Sequence, residues 1–293
     1  MIAPNLPTIS VVTATLNRAN YLGEAMRSVL DQDYPHVQYV VVDGGSTDGS
    51  VDLIRRHADR LTWWCSEKDN GHFDALNKGF ARTDGEVMAW LNSDDKYTPW
   101  AFQVVGEIFA TFPQVEWLTT LFPILWDGRG RAMHCKHVDG YSREGFRRGE
   151  YFPRPGALTS GWIQQESTFW RRSLWDKAGG RVDASIRVAG DFELWARFFE
   201  HADLYGVTTP LGGFRVHGEQ FTQTQAERIN QICLDTLRRH GGAPHGRLAT
   251  TLMKSKFGRY VPGSVQRLIG VRHAKKVITH SGAAGGWVIK TVE

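Results

Sequence analysis

Between Pro7 and Asp95, short β-branched apolar runs alternate with amphipathic stretches. This alternation restricts the fold more than any other feature of the chain. Pro7 to Thr15 (PTISVVTAT) reads as a first strand, with Ile9, Val11 and Val12 supplying β-branched bulk. Asn20 is placed to cap a helix whose apolar stripe is Leu22, Ala25, Met26, Val29 and Leu30. Gln38 to Val42 (QYVVV) is a second strand, followed by a helix marked by Val51, Ile54 and Ala58. Leu61 to Cys65 is a third strand and Phe73 to Ala81 a helix. Val87 to Leu91 is a fourth strand, of the length expected when both faces are covered. Strands and helices joined by short connections build parallel βαβ units. Right-handed crossovers make a doubly wound sheet the default.

After residue 97 the pattern changes. Thr98 and Pro99 predict the cap and first position of a helix over 98–112, with Phe102, Val105, Phe109 and Phe112 on its inner face. Strands are expected over Trp117 to Leu125 and Ala132 to His137, around an Asp127-Gly128-Arg129-Gly130 turn. Further expectations are a short helix at 142–148, a strand at 164–171, a helix at 191–202, a short strand at 213–217 and a long polar helix at 221–240. Gly241-Gly242-Ala243-Pro244 is the natural boundary, which leaves 1–240 as the main domain and 241–293 as an extension.

The 293 residues, 41% apolar and 23% charged, suit a globular protein with a sizeable core. Three dispersed cysteines offer neither a zinc knuckle nor a disulfide framework, which fits a reducing cytosol. No signal peptide and no membrane span is expected. The net charge of +4 is uneven. Nine Lys/Arg and one acid lie from Arg247 onward, so that segment is +8 and residues 1–246 are −4. A basic tail can be a solvated face, or it can meet anionic headgroups at a membrane surface.

Polar residues end each of the four strands. They are Thr13-Ala14-Thr15-Leu16-Asn17, then Asp43-Gly44-Gly45-Ser46-Thr47-Asp48, then Glu67-Lys68-Asp69-Asn70-Gly71, and finally Asn92-Ser93-Asp94-Asp95. In open α/β sheets ligands bind beyond the carboxyl ends of the strands, so these tips belong to one edge. Two adjacent acids there repel unless a cation, donors or water offset them. Taken alone, each tip could equally be a turn or a helix cap.

In order and spacing, these segments over about residues 7–220 resemble the family 2 glycosyltransferases. That resemblance implies the GT-A fold, a Rossmann-like, mostly parallel α/β sheet flanked by helices with an acceptor-binding second half. It implies an inverting enzyme that moves a sugar from a nucleotide-diphosphate donor to an acceptor hydroxyl. It also implies Mn²⁺ or Mg²⁺, since a hard cation with oxygen ligands offsets charge on the leaving diphosphate. Carried over by position, Asp95 would hold the metal and Asp94 the ribose. Asn92 stands where many members have an acid. Asp43 would accept from a pyrimidine N3–H, which favours a UDP-sugar. Thr13, Thr15, Asn17 and Asp69 would line the nucleoside, and Lys78 could face phosphate.

In the second half, Gly190-Asp191-Phe192-Glu193-Leu194-Trp195 looks like the segment whose acid is the catalytic base, with Asp191 in that role and Glu193 its nearest rival. Gly213-Phe214-Arg215-Val216-His217 resembles the segment that brings a histidine to the metal, and Arg215 could instead neutralise phosphate. Gln164, Gln165 and Glu166, with Trp162 nearby, are read as the wall of the acceptor cleft. The acceptor is expected to be a saccharide or lipid-linked saccharide, in cell-surface polysaccharide or glycolipid synthesis; no nucleic-acid partner is expected. Two other classes compete. A sugar nucleotidyltransferase should carry a glycine-rich basic loop after its first strand, and Thr13–Asn20 lacks one. A silent saccharide-binding protein would be indifferent to Asp191→Asn. A dinucleotide-dependent oxidoreductase is disfavoured because no GxGxxG follows the first strand.

Overall fold

The computed structural model describes residues 5–152, 154, 157–218, 225–283 and 285–293. Its first half is the anticipated βα alternation. In chain order these are β1 (Ile9–Thr15), α1 (Ala19–Leu30), β2 (Val37–Asp43), α2 (Ser50–Arg56), β3 (Trp63–Ser66), α3 (His72–Phe80) and β4 (Val87–Trp90). The four strands pair in parallel in the order β3-β2-β1-β4. The register puts Thr15 opposite Asp43 and Asp43 opposite Ser66, so these residues form one row at the carboxyl edge.

Alternation along β1 and β2 divides the core between the two sheet faces. Val12, Ala14, Val40 and Val42 pack into one cluster, and Ile9, Val11, Tyr39 and Val41 into the other. Burial on both faces explains why these strands read as continuous apolar runs.

The second half extends the sheet by a less regular route. It contributes β5 (Lys96–Tyr97), α4 (Ala101–Thr111), β6 (Trp117–Thr120), β7 (Ile124–Trp126), β8 (Ala132–Cys135) and α5 (Arg143–Arg147). There follow β9 (Phe169–Arg171), α6 (Arg172–Lys177), α7 (Gly190–His201), β10 (Leu204–Val207) and β11 (Gly212–Arg215). Strand β9 is antiparallel to both neighbours and joins β4 to β6. Strands β5, β11, β7 and β8 form a separate four-stranded sheet. In it Lys96 lies opposite Gly213, which draws the acid pair of residues 94–95 towards Arg215.

Several local expectations need correction. Thr98 is not a helix cap. Its hydroxyl donates to the carbonyls of Pro210 and Leu211, and α4 begins beyond Trp100. Asn20 lies inside α1; the cap comes from the next loop, where Asp48 accepts from Ala19 N–H at 2.8 Å. The strand expected over 164–171 is a 3-10 turn, Gln165–Ser167, followed by β9. The helix read over 221–240 runs Ala226–Arg239, and residues 221–224 lie outside the described residues.

The boundary expected after residue 240 does not separate the tail from the sheet. Strands β12 (Lys275–Ser281) and β13 (Gly286–Val292) complete the nine-stranded sheet, with β12 parallel to β10. Between residue 246 and β12 lie the helices Arg247–Lys254 and Gly263–Leu268, neither with a buried residue.

Candidate active site

A block of tryptophans beneath the carboxyl edge sets the spacing of the site. Trp90 is the last residue of β4, and Trp195 lies one turn into α7. Their rings stack at 6.0 Å with planes 9° apart, and Trp170 of β9 packs edge-on against both. All three are buried. The tip of β4 and the start of α7 are therefore held by rigid rings rather than by loops.

The start of α7 is constrained further. Ala189 has φ +58°, a left-handed conformation uncommon outside glycine and of a kind that clusters at functional sites. A Cβ on Gly190 would come within 2.6 Å of the Phe73 ring, so only glycine fits there. Asp191 follows, in the first turn. It borders a cavity of about 440 Å³ that is also lined by His72, Trp90, Asn92, Trp162, Gln164, Gln165 and Glu166. Burial raises the Asp191 carboxyl pKa, partly opposed by backbone N–H donors.

Glu193, the rival base, faces away from this chemistry. It is buried and clamped by Arg197, whose guanidinium donates to both of its oxygens at 2.7–3.1 Å. The nearer rival is Glu166, which the sequence marked only as cleft wall. Burial, with Asp191 and Asp94 nearby, pushes its carboxyl up to about 8, and its Oε1 is buried without a hydrogen-bond partner. Gln164 Oε1 and Gln165 Oε1 are likewise unpartnered, while Gln165 Nε2 donates to the Trp90 carbonyl at 2.6 Å. Buried polar atoms without partners are rare, and here three occur on consecutive residues that line this cavity.

At the tip of β4 the two acids differ sharply. Asp95 is buried, accepting from the Asn92 side-chain amide at 3.0 Å and from Arg215 N–H at 2.8 Å. Burial, then the charges of Asp94 and Glu166, push its carboxyl well above the usual range. Asp94 is the outward one. Its Oδ2 lies 3.0 Å from His217 Nε2 and 3.9 Å from Arg18 Nε. Each Asp95 oxygen thus accepts one bond from the fold, and Asp94 is the more exposed of the two acids. Asn92, where an acid was expected, supplies the donor that Asp95 needs.

His217 stacks on Tyr21 at 4.6 Å. Arg215 is fully buried beneath the acid pair; it donates to the Asp94 carbonyl at 2.5 Å and pairs with Glu24 at 2.6 Å. It acts as a strut between β11 and the acid loop, not as an exposed phosphate ligand.

The donor-side residues separate into cavity and scaffold. Asp43 is buried and accepts from Gly45 N–H, Ser46 N–H, and the hydroxyls of Ser46 and Ser66. Its carboxylate thus organises its own loop. Thr13 is buried and accepts from the Tyr39 hydroxyl at 3.0 Å, which removes it from the nucleoside surface. Thr15 sits two residues nearer the edge, with a buried hydroxyl that has no partner. Asn17, at φ +51°, joins two tips. Its N–H donates to Ser46 and its side-chain oxygen accepts from Thr47 N–H. Asp69 lies against Gly44, where a Cβ would come within 2.7 Å of its carboxylate, and it accepts from Gly71 N–H. Lys78 is ion-paired with Glu67 at the surface. Sequence reading missed Arg18 beside Asp94 and left His72, in the cavity wall, unassigned. A lone cation in a loop or a lone imidazole at a helix start carries no signal of its own.

Residues 10–122 match the profile of the family described as glycosyl transferase family 2. The chain belongs to the family 2 glycosyltransferases. An uncharacterized glycosyltransferase of Rickettsia prowazekii is 26% identical over 226 residues, covering 77% of this chain and 69% of the relative. Among solved structures, residues 1–349 of S. aureus TarS in complex with UDP-GlcNAc align with a TM-score of 0.60 at 13% identity, covering 88% of this chain and 77% of that one. The mannosyltransferase PcManGT from Pyrobaculum calidifontis, in complex with GDP-Man and Mn²⁺, aligns at 0.58 with 18% identity, covering 83% and 67%. These structural likenesses establish a shared GT-A fold. This family 2 glycosyltransferase is therefore a transferase enzyme with the fold class its sequence implies.

Proposed function

We propose that this enzyme transfers a sugar from a nucleotide-diphosphate donor, with UDP-sugars favoured, to a hydroxyl of a saccharide or lipid-linked acceptor, with inversion at the anomeric carbon. Residues up to about 112 form the donor half and 113–240 the acceptor half, joined by the tryptophan block. One observation carries this reading: a single cavity is bordered by Asn92, beyond the tip of β4, and by Asp191 and Glu166 of the second half. TarS and PcManGT, which share the fold, are described with bound nucleotide sugars.

Asp94 and His217 are the groups suited to a divalent cation, Mn²⁺ or Mg²⁺. A carboxylate oxygen and an imidazole nitrogen 3.0 Å apart make a two-ligand edge. When bound there, the cation would offset charge on the departing diphosphate. Thr15, Asn17 and Asp69 border the nucleoside, and Asp43 shapes the loop beside it. The unpartnered oxygens of residues 164–166 orient the acceptor. Asp191 takes the proton of its hydroxyl as that oxygen attacks the anomeric carbon from the face opposite the diphosphate. The transition state is oxocarbenium-like, as in glycoside hydrolysis.

A donor screen tests this. Purified enzyme with Mn²⁺ or Mg²⁺ is given UDP-, GDP- and dTDP-sugars, and nucleoside diphosphate release is measured. Metal-stimulated release from one donor is expected, whereas formation of a nucleotide sugar from sugar phosphate and nucleoside triphosphate would favour a nucleotidyltransferase.

The tail is proposed to rest on an anionic membrane surface beside a lipid-linked acceptor. Among the described residues, no helix is long and apolar enough to cross a membrane. However, Leu248, Leu252, Phe257, Tyr260, Val265 and Leu268 are all exposed, Leu248 by 89% and Leu268 by 86%, among five Lys/Arg and no acid between residues 247 and 268. Apolar side chains can enter the interface while cations meet headgroups, at about 1 kcal/mol per Lys/Arg. The enzyme is expected to sediment with anionic but not neutral vesicles, and Leu248→Asp with Leu268→Asp should abolish this. Equal sedimentation with both lipids would contradict it.

A further inference from the structure

A second cluster of ligating groups lies outside the cavity, where the loop after α5 meets both ends of the exposed basic segment. We propose that Glu150, His245 and His273 form a binding site for a Zn²⁺-class divalent cation, distinct from the Asp94–His217 pair, that fastens residues 246–272 to the acceptor half. Each residue offers one ligand atom, and the three atoms lie within 4.8 Å of one another. Among the described residues, no other group of three or more His, Cys, Asp or Glu side chains meets that condition.

The three ligand atoms converge on one point. Both imidazoles turn Nε2 to the same oxygen, Glu150 Oε1, at 2.8 Å from His245 and 3.3 Å from His273. His273 Nε2 is buried and makes no aligned hydrogen bond. Zinc bonds to nitrogen and oxygen are about 2.0–2.2 Å, so neighbouring ligands in a tetrahedron stand about 3.3 Å apart. The two nitrogen–oxygen separations, 2.8 and 3.3 Å, and the 4.8 Å limit on all three atoms place the ligands close enough for small side-chain rotations to bring them onto one cation.

The chemistry and placement agree with this. Two neutral imidazoles and one carboxylate are borderline-soft ligands that favour Zn²⁺ over Mg²⁺. The side chains are nearly dry, 3% exposed for His245 and 10% each for His273 and Glu150. His245 precedes the helix Arg247–Lys254, and His273 precedes β12. A shared cation would therefore close the exposed segment into a loop at its root. Closing a loop in this way restricts the unfolded chain and links metal binding to order in the segment. The inference does not depend on the donor-site reading, since neither Asp94 nor His217 belongs to the cluster.

The test is metal retention by the full chain. Protein stripped with chelator is loaded with Zn²⁺, dialysed against excess Mg²⁺ and assayed for bound metal by mass spectrometry. Wild type and Asp94→Ala should each retain about one equivalent, and His245→Gln and His273→Gln should retain little, because losing a ligand exceeds the 10–100-fold that outer-shell losses cost. Cobalt-loaded wild type should show the visible absorption of a four-coordinate N/O site. Hydrogen exchange over residues 247–272 should slow on metal binding. Wild type that retains no zinc, or retention in both histidine variants equal to wild type, would overturn the proposal. Should the variants misfold, the retention and cobalt spectrum of wild type still decide it.

Discussion

Asp191→Asn is expected to lower kcat for transfer about a thousandfold while leaving donor affinity within about twofold of wild type. General base catalysis contributes roughly 10²–10⁴ in rate. Asparagine keeps the shape of the side chain at the head of α7 but cannot accept the acceptor's proton. The donor side should not notice, because Asp191 belongs to the acceptor half, at the head of α7. The pH profile adds a sign. Only the deprotonated carboxyl can act as base, so transfer is lost as pH falls through its pKa. Burial raises that pKa, so the acid limb of the wild-type profile should lie above the ordinary aspartate range. In Asp191→Asn this limb should disappear. If near-normal activity persisted with a limb near pH 8, the base would be Glu166, whose carboxyl is pushed up to about 8.

The second large effect is expected at Asp94. Asp94→Ala should abolish metal stimulation of donor turnover, a loss of several kcal/mol in transition-state stabilisation or about a thousandfold in rate. Asp95→Asn should behave differently. Asp95 is buried and bonded to Asn92 and to the backbone of Arg215, so its replacement should lower the thermal midpoint more than it changes the response to Mn²⁺. Steady-state rates over a Mn²⁺ titration, with melting curves for both variants, separate the two acids. A normal metal response in Asp94→Ala would remove the site from this position.

Much of the donor half was legible in the sequence because its signals are local. Runs such as Val40-Val41-Val42 report burial on both faces, and the stripe from Leu22 to Leu30 reports one helix face. The shared edge of the strand tips then follows from topology. Adjacent acids are a harder problem. Asp94 and Asp95 differ by one position in a turn, so which of them faces outward depends on Asn92 and on Arg215, 120 residues away. Thr13 and Thr15 share a face of β1, yet only the structure places Tyr39 under the first of them.

Long-range pairings account for the rest. Strand β9 is three residues long and antiparallel between two parallel blocks, which no periodicity announces. Strands β12 and β13 lie in a basic segment that reads as solvated, and their place in the sheet is set by pairing with β10. Lys78 pairs with Glu67 of the preceding loop. Charge partners across loops are invisible to local pattern.

The most direct test of the central claim is calorimetric titration of nucleoside diphosphate with Mn²⁺ into wild type, Asp94→Ala and Asp191→Asn. Separate roles for Asp94 and Asp191 predict that wild type and Asp191→Asn bind alike, although only wild type transfers sugar, and that Asp94→Ala loses metal-dependent binding. Equal metal-dependent binding in all three proteins would contradict it, as would loss of binding in Asp191→Asn alone.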